Sequence, residues 1–184
     1  MSKLLNVSSS PHVRCGVSTK NLMYDVAIAM LPATIWGVMQ FGIYSLIVVV
    51  ATVLSCVLSE YLFETLMHKP VTISDGSALV TGMILGLNMP PAIPLWMPIL
   101  GGVFAIIVVK QLYGGLGQNW MNPALAARCF MLISFAQAMT KFTDPVTDAV
   151  ASATPLAAIK AGDTYDLAAM FIGKIPGTIG EVSV

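Results

Sequence analysis

Two long stretches of this chain carry no charged side chain: Val26 to Ser59 and Gly76 to Val109. One helix crosses a hydrocarbon core with about 20 apolar residues, so each stretch is too long for a single crossing and has to hold a hairpin or a broken pair. The sequence therefore predicts several membrane crossings. Composition agrees, because 57% of the 184 residues are apolar and only 10% are charged, unlike a soluble domain. Nine Lys and Arg balance nine Asp and Glu. That leaves no basic stripe for a phosphate backbone, so nucleic acid is set aside as a partner and the lipid bilayer takes its place.

Cys15, Cys56 and Cys129 stand apart, without the C-x-x-C spacing of an iron-sulfur or zinc site, and no metal site is expected. His12 and His68 lie in polar segments and read as surface histidines. Redox chemistry in such a chain has to use another cofactor.

The first 21 residues are polar, include Lys3, Arg14 and Lys20, and lack an apolar core near Met1. They read as a cytoplasmic arm and not as a cleavable signal. A transmembrane bundle over 22–139 follows, with helices expected at 22–40, 43–63, 96–112 and 123–139. Lys69 and His68 after the second helix put residues 64–75 on the same cytoplasmic side as the arm. Between them and the third long helix, Gly76 to Leu87 is only half a span and runs into Met89-Pro90-Pro91-Ala92-Ile93-Pro94. Two readings fit: a broken or re-entrant half-helix lining a site, or a thin, tilted crossing. Residues 140–166 form a polar loop that emerges outside the cytoplasm if 76–94 and 96–112 each cross, the side its charge pattern favours, and on the cytoplasmic side if 76–89 only dip in and return. Residues 167–184 read as the start of a further membrane region.

Asn122-Pro123 reads as a helix start, with Asn as the cap and Pro at the first helical position. Thr154-Pro155 repeats that pattern, which makes Thr154 a natural N-cap; the same geometry presents free N–H groups to an anionic phosphate. Arg128 lies in an otherwise apolar helix, where an arginine costs about 2.5–3.5 kcal/mol on insertion scales. It either snorkels to an interface or pairs with an anionic group, a carboxylate such as Asp25, Glu60 or Asp75 among them.

Four stretches carry a family resemblance: Ser8-Ser9-Ser10-Pro11-His12-Val13-Arg14; Asp75-Gly76-Ser77-Ala78-Leu79-Val80-Thr81-Gly82; Lys110-Gln111 through Gly114-Gly115 and Gly117-Gln118-Asn119 to Asn122-Pro123-Ala124; and Ala153-Thr154-Pro155-Leu156. In this order they resemble the D subunits of Rnf complexes, the ion-translocating ferredoxin:NAD oxidoreductases, which are related to the B subunits of the sodium-pumping NADH:quinone reductases. The resemblance implies an all-α, polytopic membrane bundle with a urea-transporter-like fold, in the inner membrane of a bacterium. It implies a translocase subunit without catalytic residues of its own, relaying electrons through FMN esterified to a threonine in an [S/T]-G-A-T setting.

Here that setting is Ala151-Ser152-Ala153-Thr154, so Thr154 is the expected attachment site, with Ser152, Ala153, Pro155, Arg128 and Asn122 as the cofactor's surroundings. Ala151 and Ser152 depart from the family pattern. By the same resemblance, partner subunits hold a second covalent FMN (the G subunit), the iron-sulfur clusters and further membrane helices (the A and E subunits), and a flavin transferase matures the site. The sodium-pumping relative suggests a non-covalent riboflavin as well. The segment from Phe171 to Val184 resembles the family's loop before a further set of membrane helices, an expected second half of the bundle. The rival from another class is a small-solute channel or transporter of the same fold, and a third reading is a structural scaffold; covalent flavin separates the three.

Overall fold

The computed structural model describes residues 16–143, 150, 151, 160 and 176–181, and among these the chain is almost entirely helical. Helix α1 (Thr19–Phe41) starts where Ser18 accepts a hydrogen bond from Asn21 N and ends at Gly42. The left-handed φ of Gly42, 82°, suits a residue without Cβ, and α2 (Ile43–Leu66) follows immediately. Both helices are long and apolar enough to cross a membrane.

What these two helices bury is the reverse of a soluble core. On α1 the buried residues are Ala27, Thr34 and Gly37. On α2 six of the nine are polar, Ser45, Thr52, Ser55, Ser59, Glu60 and Glu64, beside Val48, Val49 and Cys56, while Ile47, Leu54, Leu58 and Leu62 face outward. Small and polar side chains inside with large aliphatics outside is the pattern of a helix surrounded by lipid, where association relies on close packing and hydrogen bonding. The hydroxyls satisfy themselves locally: Thr52 Oγ1 donates to Val48 O at 2.7 Å and Thr34 Oγ1 to Met30 O at 3.0 Å.

A 3₁₀ turn (Ile73–Asp75) leads through Gly76, with φ 78°, into α3 (Ser77–Leu87). Asp75 Oδ1 accepts from Ser77 N at 2.8 Å and caps the new helix. Gly82 and Gly86 do more than interrupt an apolar run. A Cβ on Gly82 would lie 2.6 Å from Val53 Cα, and one on Gly86 would lie 3.0 Å from Val49 Cα. The pair is a G-x-x-x-G seam that lets α3 lie directly on α2.

Helix α3 stops at Asn88, because Pro90, Pro91 and Pro94 cannot continue it. The carbonyls left free are used by a distant segment: Ile179 N donates to Met89 O at 3.1 Å and Gly180 N to Leu87 O at 2.8 Å. Ile179 is itself fully buried, wedged against Gly37 of α1 where a Cβ would collide with it.

Helix α4 (Trp96–Phe104) returns beside α2, with Ser55 Oγ donating to Ile99 O at 3.0 Å. It was expected to run as one α-helix to residue 112, but Ala105–Gln111 is π-helical. Helix α5 (Pro123–Ser134) begins at the Asn122 cap, as its Asn-Pro start predicts. The single helix expected over 123–139 is instead broken at Phe135, whose φ of −132° and ψ of 47° leave helical space, and a short α6 (Ala136–Met139) follows. Beyond it Phe142–Thr143 pairs antiparallel with Val150–Ala151, a two-residue addition to the all-α expectation.

Contacts define two ends. Gly76 approaches Met23 and Tyr24 at the start of α1, and Lys110 and Asn122 line one cavity with Met23 and Ser77. At the opposite end Tyr44 Oη donates to Ile93 O at 2.9 Å, and the Trp96 and Phe135 rings meet edge to face with centroids 5.2 Å apart. Residues 135–143 therefore lie at the end away from Ser18, Gly76 and Asn122.

Candidate functional site

The near end of the bundle holds a sealed polar cluster. Glu60 and Glu64, one helical turn apart on the buried face of α2, are 0% and 2% exposed, and Lys110 and Gln111 are 2% and 3% exposed. Lys110 Nζ forms an ion pair with Glu60 Oε1 and bonds Ser77 Oγ at 2.5 Å. Gln111 Nε2 donates to the same Glu60 oxygen at 2.8 Å and to Glu64 Oε1 at 3.2 Å. Ser77 Oγ in turn donates to Asp75 Oδ1 at 2.6 Å, and Glu64 accepts from Thr72 through N at 2.9 Å and Oγ1 at 2.5 Å. Only one atom of the cluster is left out, Glu60 Oε2, which is buried without a partner among the described residues.

Removing two charges from water costs several kcal/mol each, so an ion pair is retained in such a place only with additional hydrogen bonds around it. Gln111 and Ser77 supply them here. Ionisable groups buried among membrane-type helices mark functional sites by default.

Three cavities lined by described residues adjoin the helices. One of about 150 Å³ sits on the cluster, with Ser77, Thr81, Lys110, Asn119 and Asn122 giving it a polar wall. An apolar one of about 510 Å³ lies between α4, its π-helical continuation and α5, walled by Phe104, Tyr113, Trp120, Leu125 and Cys129. The third, about 230 Å³, is lined by Met30, Ile84, Leu87, Asn88, Thr178 and Glu181 at the broken end of α3.

Arg128 is half-buried beside this third cavity. Its Nη1 donates to Asn88 Oδ1 at 2.5 Å and its Nη2 lies 3.8 Å from Glu181 Oε2. The carboxylates expected as its partners are engaged otherwise or lie elsewhere: Glu60 takes Lys110, Asp75 caps α3, and Asp25 makes no ion pair among the described residues. Arg128 sits over the broken end of α3, whereas those carboxylates belong to the near end. Arg128→Leu is expected to cost about 1–3 kcal/mol, because Asn88 Oδ1 loses its donor in a half-buried position. The measurement is the Tm of purified protein, and an unchanged Tm would mean that water replaces the guanidinium.

Asn122 acts as the α5 cap, accepting from Ala124 N at 3.0 Å and Leu125 N at 3.4 Å, and it lines both the polar and the apolar cavity. Thr154, Ser152, Ala153 and Pro155 lie outside the described residues. Their described neighbour Ala151 is paired with Phe142 at the far end. The cluster of Glu60, Glu64, Lys110, Gln111 and Ser77 was not anticipated as a unit. Its sequence signal was there: Glu60 and Lys110 each end a charge-free stretch.

The model of the NQR2, RnfD, RnfE family matches residues 6–184. The D subunit of a Na+-translocating ferredoxin:NAD+ oxidoreductase complex from Acetobacterium woodii is 46% identical over 185 residues, covering 97% of this chain and 58% of that protein. The D subunit of a proton-translocating ferredoxin:NAD+ oxidoreductase complex from Clostridium ljungdahlii is 40% identical over 98% of this chain and 59% of its own length. The D subunit of an ion-translocating oxidoreductase complex from Shewanella denitrificans is 40% identical over 84% of this chain and 45% of its own. The chain thus spans about half of the length of these relatives. With the family model matched from residue 6 onward and such relatives covering nearly the whole sequence, the chain belongs to the NQR2, RnfD, RnfE family.

Proposed function

We propose that this chain is the D-type membrane subunit of an Rnf-type ferredoxin:NAD+ oxidoreductase that couples electron transfer to Na+ or H+ translocation, and that it carries FMN on Thr154. The observation that carries the reading is the inverted pattern of α1 and α2, polar inside and aliphatic outside, around a buried Glu60–Lys110 pair. A passive scaffold has no need to seal an ion pair at that cost. The relatives' names supply the class of reaction. In this reading the protein is a multi-pass component of the bacterial inner membrane with a urea-transporter-like bundle. The iron-sulfur subunits, the covalent-FMN G subunit and the A and E membrane subunits are its partners, and a flavin transferase matures it.

The donor chemistry suits the cofactor: a threonine hydroxyl is a phosphoester acceptor, and Ala151, three residues before it in sequence, is anchored by the Phe142–Thr143 pairing. FMN, when bound, supplies one- and two-electron chemistry that no side chain here offers. The chain's own contribution is to tether it, so that it stays with the complex between turnovers. A second, non-covalent riboflavin belongs to the same proposal by analogy with the sodium-pumping relative.

The test is direct: the chain purified after co-expression with a flavin transferase should be yellow and fluoresce in a denaturing gel. A colourless, non-fluorescent band would favour the solute-channel reading of the same bundle. Orientation is checked separately. With the basic arm in the cytoplasm, the far end faces out, and Thr143→Cys should react with an impermeant maleimide on intact cells. Reaction confined to inside-out vesicles would reverse the assignment.

A further inference from the structure

Helices α4 and α5 approach each other where a Cβ on Gly101 would lie 3.4 Å from Met131 Cγ, and again where the Phe104 and Phe130 rings stack with centroids 4.3 Å apart. Toward the near end the walls separate. Between the π-helical continuation of α4 and the first two turns of α5 lies the 510 Å³ cavity, with Phe104 at one end and Tyr113 and Trp120 at the other. Those two rings sit at either end of the loop that joins the walls, and their centroids are 6.1 Å apart.

The walls of this wedge belong to the outside of the bundle. Val108 lines it and is exposed, like Leu100 and Leu112 on the same side, and Leu125 lines it and is exposed, like Leu132 and Ile133 further along α5. Cys129, also in the wall, is exposed as well. In a membrane bundle such outward aliphatics meet lipid tails, so the cavity opens sideways into hydrocarbon.

Water does not suit this space. No described residue of its wall is charged, and the one amide there, Asn122, has its oxygen committed to Ala124 N and Leu125 N. Apolar cavities stay dry and take up apolar molecules, and an empty one forfeits the dispersion contacts of its lining. The volume lies within the usual range of small-molecule sites, about 300–1,000 Å³. From the Asn122 cap to Cys129 the helix rises about 10 Å, a third of a hydrocarbon core of about 30 Å. The aromatic rim lies at the near end, where Trp and Tyr favour the headgroup boundary.

We propose that this wedge is a lipid site, in which one acyl chain of a membrane phospholipid inserts between the π-helical stretch and α5 while its glycerol end rests against Tyr113 and Trp120. With no charge in the described wall, the chain is recognised and not the headgroup. The site rests on the membrane reading of the bundle, and on neither the flavin nor a partner subunit.

The test uses the chain reconstituted in phosphatidylcholine vesicles that contain a phosphatidylcholine with a diazirine in the upper part of one acyl chain. After illumination, peptide mass spectrometry should find at least about fivefold more adduct per residue on Val108, Leu125 and Cys129 than on Ile28, which faces outward on α1; about 1 kcal/mol of preference gives that ratio. Ala126→Phe, which puts a ring into the wedge, should bring the cavity adducts down to the Ile28 level and leave Ile28 itself unchanged. Equal adduct at the cavity and at Ile28 in the wild type would overturn the site, and that comparison needs no variant. Adduct that rises when phosphatidylglycerol replaces phosphatidylcholine would overturn recognition by the chain. Cavity adduct abolished by free riboflavin would give the space to a planar ring and overturn the lipid. No adduct at either place would overturn the membrane reading and this proposal with it.

Discussion

Glu60→Leu alone is expected to destabilise the protein by about 3–5 kcal/mol, the usual cost of leaving one partner of a buried ion pair without the other. Lys110 is only 2% exposed, so its ammonium would keep a single protein bond, to Ser77, in a nearly sealed position. Gln111 would lose its shorter acceptor at the same time. Lys110→Met should be about as damaging, for it strips a carboxylate whose other oxygen has no partner among the described residues. The double variant Glu60→Leu/Lys110→Met removes both charges and should recover most of the loss, because apolar replacements of a whole buried pair are often close to neutral. Denaturant titration of the four proteins in one detergent closes a double-mutant cycle. Losses that simply add would show that the two side chains act independently and do not form one unit.

Thr154→Ala is expected to abolish covalent flavin altogether, an all-or-none result in a denaturing fluorescent gel. The chemistry allows little compromise: a phosphodiester needs an oxygen on the protein, and alanine has none. The helices should still assemble, since losing an N-cap typically costs about 0.5–2 kcal/mol and the packing seams at Gly82, Gly86 and Gly102 lie on other elements. Peptide mass spectrometry of the wild type should place one FMN, less a water, on Thr154. Ser152 offers the alternative hydroxyl in the motif, so an adduct there, or fluorescence surviving in the alanine variant, would assign the tether to the wrong atom.

Much of the helical layout was legible in the sequence because its signals are local. Gly42 ends α1, the three prolines after Met89 end α3, and Asn122-Pro123 starts α5, each by the conformational limits of the residues themselves. What the sequence concealed depends on distant partners. The π turn at Ala105–Gln111 has no breaker residue and exists in company with a carboxylate on another helix. Arg128 could be recognised as needing a partner, but Asn88 and Glu181 come from a broken helix and from a segment far along the chain. Gly82 and Gly86 form the contact face of α3, which depends on a partner helix far away in sequence. The proposed attachment at Thr154 rests on resemblance and not on physics; a threonine before a proline is otherwise a helix cap.

The seating of Ile179 bears on the order in which this protein can be made. Leu87 and Met89 receive their hydrogen bonds from residues about 90 positions further along, so a ribosome that has already delivered α1 to α5 to the membrane has not yet supplied the groups that close α3. Until then two carbonyls lack the partners they have in the finished bundle, each at a cost of several kcal/mol wherever water does not reach them. The nascent bundle must therefore wait, with Gly37 keeping the berth open, and what finally closes α3 is the arrival of a tripeptide rather than of a helix.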